Sequence, residues 1–198
     1  DVLVGGFPCQ GFSRANIHRV KNDERNNLYL HVLRFLFEHK PKFFLLENVR
    51  GIVTLNEGKD FSDIISSLED CGYKLKYKIL NAADFGVPQN RVRVIISGVR
   101  DDLRSRYEYV YPPATHSRDG VELHRWISIA EALSGIGEPK KVNNLPNHVC
   151  SNYKVTNRDF TGHRRTDPKK PSPTILARGN GGGGVCAIQH PKNHRRLS

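Results

Sequence analysis

Hydrophobic and polar positions along the first hundred residues alternate between two periods. "DVLV" opens the chain, and residues 1–5 predict a short buried strand. Residues 6–24 are rich in Gly, Ser, Asn, Arg and Lys, a polar loop of a length that in a compact domain is functional or mobile. "RNNLYLHVLRFLFEH", residues 25–39, places apolar side chains at 28, 32, 35 and 36, which is helical spacing, and Pro41 helps to end that helix. "KFFLLENV" is a compact apolar run suited to a strand buried on both faces. Residues 60–71 put Phe61, Ile64, Ile65 and Leu68 on one helical face, with Gly72 as the C-cap. "YKLKYKILN" alternates as a half-buried strand does, and "RVRVIISGV" reads as another after the Gly- and Pro-containing link "AADFGVPQN". Strand, helix, strand, helix, strand, strand is the order of an α/β sheet with crossover helices, its last two strands paired as an antiparallel hairpin.

Beyond about residue 102 the periodicity fades and Pro and Gly become frequent. "ISIAEALSGIG" at 127–137 predicts a short helix and "SPTILA" at 172–177 a strand. Trp126, Tyr153 and Phe160 give this half something to pack, so it reads as a loop-rich module and not as disorder. Two modules are expected, 1–105 and 106–198. Gly179, Gly181 and Gly184 match GxGxxG in form only. No helix and no acidic residue follows them, so the stretch reads as a flexible glycine segment and not as a dinucleotide loop.

Composition narrows the picture. The chain has 198 residues, 37% of them hydrophobic, enough for one real core. No apolar run approaches the roughly 20 residues of a membrane span. Cys9, Cys71, Cys150 and Cys186 form no CxxC pair, which excludes a zinc ribbon or a thioredoxin-type site. No metal is expected, and a reducing, intracellular setting is. Met is absent throughout, so the sequence reads as a piece of a longer protein. The net charge is +11, and residues 154–198 hold ten Lys or Arg against two Asp. That asymmetry points to nucleic acid; a merely solvated basic surface is the alternative.

Three groups can carry chemistry. Cys9, in "GGFPCQGFS", follows the carboxyl end of the first strand, the edge where open α/β sheets bind ligands. An uncrowded thiolate there is a nucleophile if cations lower its pKa; otherwise it is a packed thiol. Glu47 ends "FFLLE" and reaches the same edge from the neighbouring strand, as a general acid or as a strand-end salt bridge. In "QNRVR", Arg91 and Arg93 stand two apart, which at a strand start puts both guanidinium groups on one face, able to grip phosphate or base oxygens, or simply exposed.

The joint order of PCQ, ENV and QxRxR, each at a strand end, resembles the DNA (cytosine-5) methyltransferases. "GGFPCQGFS", "ENV" and "QNRVR" look like that family's nucleophile, acid and arginine motifs. "KPSPTILARG" looks like the motif after its target-recognition region, and "HPKNHRRLS" resembles the segment before its closing helices. The resemblance covers nearly the whole chain and is weakest over about 103–165. It implies part of a Rossmann-like, S-adenosylmethionine-dependent sheet with a target-recognition module at 106–178.

It further implies methylation of carbon 5 of a flipped cytosine in double-stranded DNA. Cys9 would attack carbon 6, Glu47 would contact N3 and the exocyclic amine, and Arg91 and Arg93 would hold the nucleotide. Pro8 and Leu28 would line the S-adenosyl-L-methionine side. Gln10 and Ser13, in a mobile catalytic loop, and Arg178 would meet DNA, while Asn48 would tie the loop edge to the sheet. A bacterial cytoplasmic or nucleoid enzyme, as in restriction–modification systems, is implied.

The family's glycine-turn cofactor motif, its acidic ribose-binding residues and its final Asn-containing motif are absent from this sequence. The chain alone is therefore expected to be inactive, needing the remainder of the enzyme or a complementary subunit. A tRNA cytosine-5 methyltransferase and a non-catalytic nucleic-acid-binding relative are the alternatives within the resemblance. A thiol hydrolase finds no companion histidine motif.

Overall fold

A computed structural model describes residues 1–7, 29–137 and 166–175, with the backbone of 163–164 and 187–188. They belong to two compact units: residues 1–80 with 92–113, and residues 81–91 with 114–198.

The first unit is a four-stranded sheet with helices on one face. Its elements are β1 (Val2–Gly5), α1 (Tyr29–His39), β2 (Phe43–Val49), a 3-10 segment (Arg50–Gly58), α2 (Lys59–Asp70), β3 (Tyr73–Asn81) and β5 (Val92–Arg100). The strand order is β1-β2-β5-β3. β1 and β2 are parallel, with Gly5 opposite Leu46. β2 and β5 are antiparallel, from Phe43 opposite Val99 to Val49 opposite Arg93. β3 runs antiparallel to β5, since the Asp101 amide donates to Gly72 O and the Ser97 hydroxyl to Lys76 O. The predicted hairpin is thus formed, and its second strand sits inside the sheet.

β2 fixes the layer arrangement. Phe44, Leu46 and Asn48 are buried, while Phe43, Leu45, Glu47 and Val49 are half-buried. Burial on both faces was expected, but only one face is sealed. Leu36 of α1, Ile52, and Phe61, Ile64 and Leu68 of α2 all pack there against Phe44, Leu46, Val94 and Ile96. The same asymmetry corrects the reading of β1. Leu3 packs on the core, but Val2 and Val4 are 61% and 69% exposed, because β1 is the last strand of the sheet and they point away from the helices. α2 buries three of the four predicted residues, and the fourth, Ile65, packs beside them. In α1 the packed face is Tyr29, Val32, Leu33 and Leu36, whereas Phe35, expected inside, is 42% exposed and stacks on His39.

In the second unit regular structure is short. It comprises a 3-10 turn (Ala82–Phe85), β4 (Gln89–Asn90), β6 (His116–Ser117), β7 (His124–Arg125), α3 (Ile129–Ala132), β8 (His163–Arg164), β9 (Ser172–Pro173) and β10 (Ala187–Ile188). α3 is the predicted short helix, reduced to four residues and started by a reciprocal capping box between Ser128 and Glu131. The strand expected at 172–177 is two residues long, pairing β9 with β4 in parallel register. Tyr153 and Phe160 lie outside the described residues.

The division differs from the two contiguous blocks read from sequence. Residues 81–91 group with the later segment because local bonds hold them there: Trp126 Nε1 donates to Asp84 Oδ1 at 2.9 Å, and the Thr115 amide to Asp84 O at 2.9 Å. The boundary near 105 moves to 113 because Tyr111 is bound to the first unit, its hydroxyl donating to Ile95 O at 2.8 Å.

Candidate active site

Because β1 and β2 are parallel and in register, their carboxyl ends finish side by side, and Gly6 comes to rest against Glu47. A Cβ on Gly6 would stand 2.8 Å from Glu47 O and 3.4 Å from Glu47 Oε2, so only glycine permits this approach without displacing backbone. The next residue, Phe7, is buried in the core. Its carbonyl accepts from Asn48 Nδ2 at 3.3 Å, and Asn48 Oδ1 takes the Val49 amide at 2.9 Å. Asn48 is only 2% exposed, and both ends of its amide are used. The chain is therefore held on both sides as it enters Pro8 and Cys9.

The third strand brings a guanidinium to the same edge. In the antiparallel register Ile95 faces Glu47, so Arg93, two residues back, lies on Glu47's face and diagonal to it. Arg93 Nε donates to Glu47 Oε1 at 2.7 Å, a short charge-assisted bond, and Arg93 Nη1 donates to Val92 O at 2.9 Å. The Arg93 side chain is 18% exposed and that of Glu47 42%. The buried partner is thus the cation, and the carboxylate is the member of the pair that meets solvent. Oε1 is fixed by Arg93, while Oε2 faces Gly6.

Arg91 is placed differently from the sequence expectation. β5 begins at Val92, so Arg91 stands one residue before the strand, and it belongs to the second unit. Its amide donates to Asn81 Oδ1 and to Gln89 O, each at 3.0 Å. Cys9, Pro8, Gln10, Ser13, Leu28 and Arg178 lie outside the described residues.

The described thiol, Cys71, is of the opposite kind to an attacking one. It is half-buried, 3.9 Å from Leu33 O, and burial first and the Asp70 carboxylate second push its pKa up. A cavity of about 270 Å³ opens between β3, β5 and residues 104–109, at the end of the sheet where Phe43 meets Val99. It is at the far end of β5 from Arg93 and takes no part in the site. Among the described residues no three His, Cys, Asp or Glu side chains stand close enough to hold a metal ion, and no helix is long and apolar enough to cross a membrane.

Sequence reasoning singled out neither Asn81 nor Gly6 by itself. Asn81 closes an alternating run just before "AAD", which is an N-cap signal. Gly6 carries no local signal apart from its neighbour Gly5; its need arises only when β2 lies alongside.

The family model described as C-5 cytosine-specific DNA methylase matches residues 1–196. The chain is 34% identical over 205 residues to the type II methyltransferase M.MthTI of Methanothermobacter thermautotrophicus, a match covering 98% of this chain and 58% of that protein. To M.BsuRI of Bacillus subtilis it is 46% identical over 119 residues, 60% of this chain and 27% of the relative. The chain thus spans little more than half the length of these curated relatives at most. Among solved structures, a prophage-encoded methyltransferase (Escherichia coli) superposes with a TM-score of 0.64 at 20% identity, over all of this chain and 65% of that one. Dnmt2 of S. pombe gives 0.55 at 20% identity, over 98% and 57%. Both likenesses show a shared methyltransferase fold.

Proposed function

The chain belongs to the C-5 cytosine-specific DNA methylase family, and from that premise we propose that it carries the nucleophile, the acid and part of the target recognition of an enzyme that methylates carbon 5 of cytosine in double-stranded DNA. The observation that carries this reading is the Glu47 carboxylate, gripped by Arg93 at 2.7 Å and lying against Gly6, three residues before Cys9.

A cytosine turned out of the duplex offers ring N3 and the exocyclic amine along one edge. A carboxyl group matches that edge with its two oxygens. With Oε1 held by Arg93, Glu47 is pre-set in orientation, so little ordering is left for the moment of reaction. Cys9, as thiolate, attacks carbon 6. The pair of electrons moves through the ring to N3, which takes a proton relayed from solvent by way of the half-exposed Glu47, and carbon 5 becomes the nucleophilic end of an enamine. S-adenosylmethionine, when bound, supplies the methyl group that carbon 5 takes. Loss of the carbon 5 proton to a base and expulsion of the Cys9 thiolate restore the aromatic ring.

Pro8 and Leu28 are the residues we assign to the methyl donor. Among the described residues nothing stands within 4 Å of where a Cβ on Gly5 would be, so this strand end leaves room for a ligand. Arg91 and Arg93 hold the extruded nucleotide, Gln10, Ser13 and Arg178 meet DNA, and the net charge of +11 suits a polyanion. Chemistry and recognition are divided between two modules, read from the sequence as 1–105 and 106–198, for which the compact units are residues 1–80 with 92–113 and residues 81–91 with 114–198.

Covalent trapping tests the proposal. A complete enzyme containing these residues is incubated with S-adenosylmethionine and a duplex in which the target base is 5-fluorocytosine, whose carbon 5 fluorine cannot leave once the methyl group is added. A denaturation-resistant protein–DNA adduct is expected, and none with Cys9→Ser. An adduct with Cys9→Ser overturns the mechanism. Methyl transfer to tRNA and not to duplex DNA overturns the substrate assignment.

A further inference from the structure

We infer that Asn81 is a positioning residue for Arg91. Asn81 Oδ1 accepts the Arg91 amide at 3.0 Å and the Ala83 amide at 3.4 Å, and Asn81 Nδ2 donates to Asn90 Oδ1 at 3.1 Å. The backbone repeats the tie, for the Ala82 amide donates to Arg91 O at 3.0 Å. Both main-chain groups of Arg91 are thereby bound to residues 81–82, across the base of the loop 82–90. A second element closes on the loop from β9: the Ser172 amide donates to Pro88 O at 2.9 Å, and Thr174 Oγ1 to Asn90 O at 2.6 Å.

Asn81 is also the N-cap of the turn Ala82–Phe85, the obvious structural role for an Asn. Geometry separates the two roles. The capping bond is the longer one, at the outer limit for an N–H···O contact, while the bond to Arg91 is of ordinary length. A cap alone needs one acceptor and no donor; here the amide NH₂ is also engaged, on the residue next to Arg91. The side chain therefore fixes where Arg91 leaves the loop.

This inference rests on the proposed function, in which Arg91 holds the extruded cytosine nucleotide. Substitutions can keep one role and lose the other. Asn81→Ser keeps a good N-cap but is too short to reach the Arg91 amide. Asn81→Asp keeps the acceptor for Arg91, and the Asn90 amide can turn to donate to it. In a complete enzyme carrying these residues, the rate of adduct formation with the 5-fluorocytosine duplex is measured for each, alone and combined with Arg91→Ala. Asn81→Ser is expected to slow the step about tenfold, the scale of one hydrogen bond to a group that must stay fixed, with little change in duplex affinity. Asn81→Asp restores most of the rate. In the Arg91→Ala background Asn81→Ser costs nothing further, since residues acting through one another are not additive.

A wild-type rate in Asn81→Ser, or an undiminished loss in the Arg91→Ala background, overturns the inference. Should Asn81→Ser fail to fold, Asn81→Asp decides, and a tenfold loss in that folded variant overturns it equally. If the wild-type enzyme forms no adduct, or Arg91→Ala leaves the rate unchanged, it is the proposed function that fails.

Discussion

Gly5 and Gly6 are adjacent and identical, yet their surroundings separate them. An added Cβ at Gly5 meets open space; at Gly6 it meets a β2 carbonyl that cannot retreat without breaking the strand pair. Gly6→Ala is therefore expected to cost about 1–3 kcal/mol in urea unfolding, the usual range for forced overpacking, whereas Gly5→Ala leaves the midpoint nearly unchanged. Equal destabilisation by the two would refute the close-approach account. Gly6→Ala should also cut adduct formation, because it moves the segment that leads to Cys9. At this scale the sequence was most informative about Glu47: a parallel β1–β2 pair places it beside Gly6, and strand ends are readable from apolar runs. Arg93 as its partner was legible only in part. Its nearness to the edge follows from the strand pattern, but its bond to Glu47 depends on the antiparallel register of β2 and β5. For Arg91 the difference is one of boundary, since β5 begins at Val92, and whether a strand starts at 91 or 92 is a one-residue matter that apolar periodicity cannot resolve.

Among the elements, β2 and β5 form the spine of the sheet, and their packing is a case of paired sizes. Phe44 lies over Gly98 so closely that an added Cβ would fall into the edge of its ring. Gly98→Ala is expected to destabilise by about 1–3 kcal/mol. Phe44→Leu, which opens a cavity, is destabilising by itself but should offset part of the Gly98→Ala loss in the double variant, giving a coupling of about 0.5–3 kcal/mol in a thermodynamic cycle. Strict additivity would show that the ring and the glycine do not share that space. The helices were legible because α2 repeats its apolar residues at clean helical spacing. α1 was harder. Its flanks carry Leu30, Phe35 and Phe37, all exposed, so several apolar stripes compete in the sequence and only packing selects among them. The second unit has few such patterns to read. Its two-residue strands are defined by partners distant in sequence, as β4 is by β9, and two residues display no period at all.

For the molecule as a whole, the order of segments matters more than their number. The chain builds most of one unit, contributes residues 81–91 to the other, returns for 92–113, and then completes the second. Two successive modules in the sequence thus correspond to two units whose segments alternate along the chain. This bears on exchange of specificity between enzymes. A transplant that takes only residues 114–198 from a donor separates Trp126 from the Asp84 it was fitted to, β9 from β4, and His116 from the glycine at 86 that makes room for its ring. Such a chimera is expected to unfold at lower temperature than either parent, read by the fluorescence of Trp126, the single tryptophan. Moving residues 81–91 along with 114–198 should recover the stability; an equally unstable second chimera would deny the interleaving any energetic weight. If the second unit chooses the target, as proposed, the smallest inheritable unit of that choice is two separate stretches of gene, and recombination with one breakpoint between them would not pass it on whole.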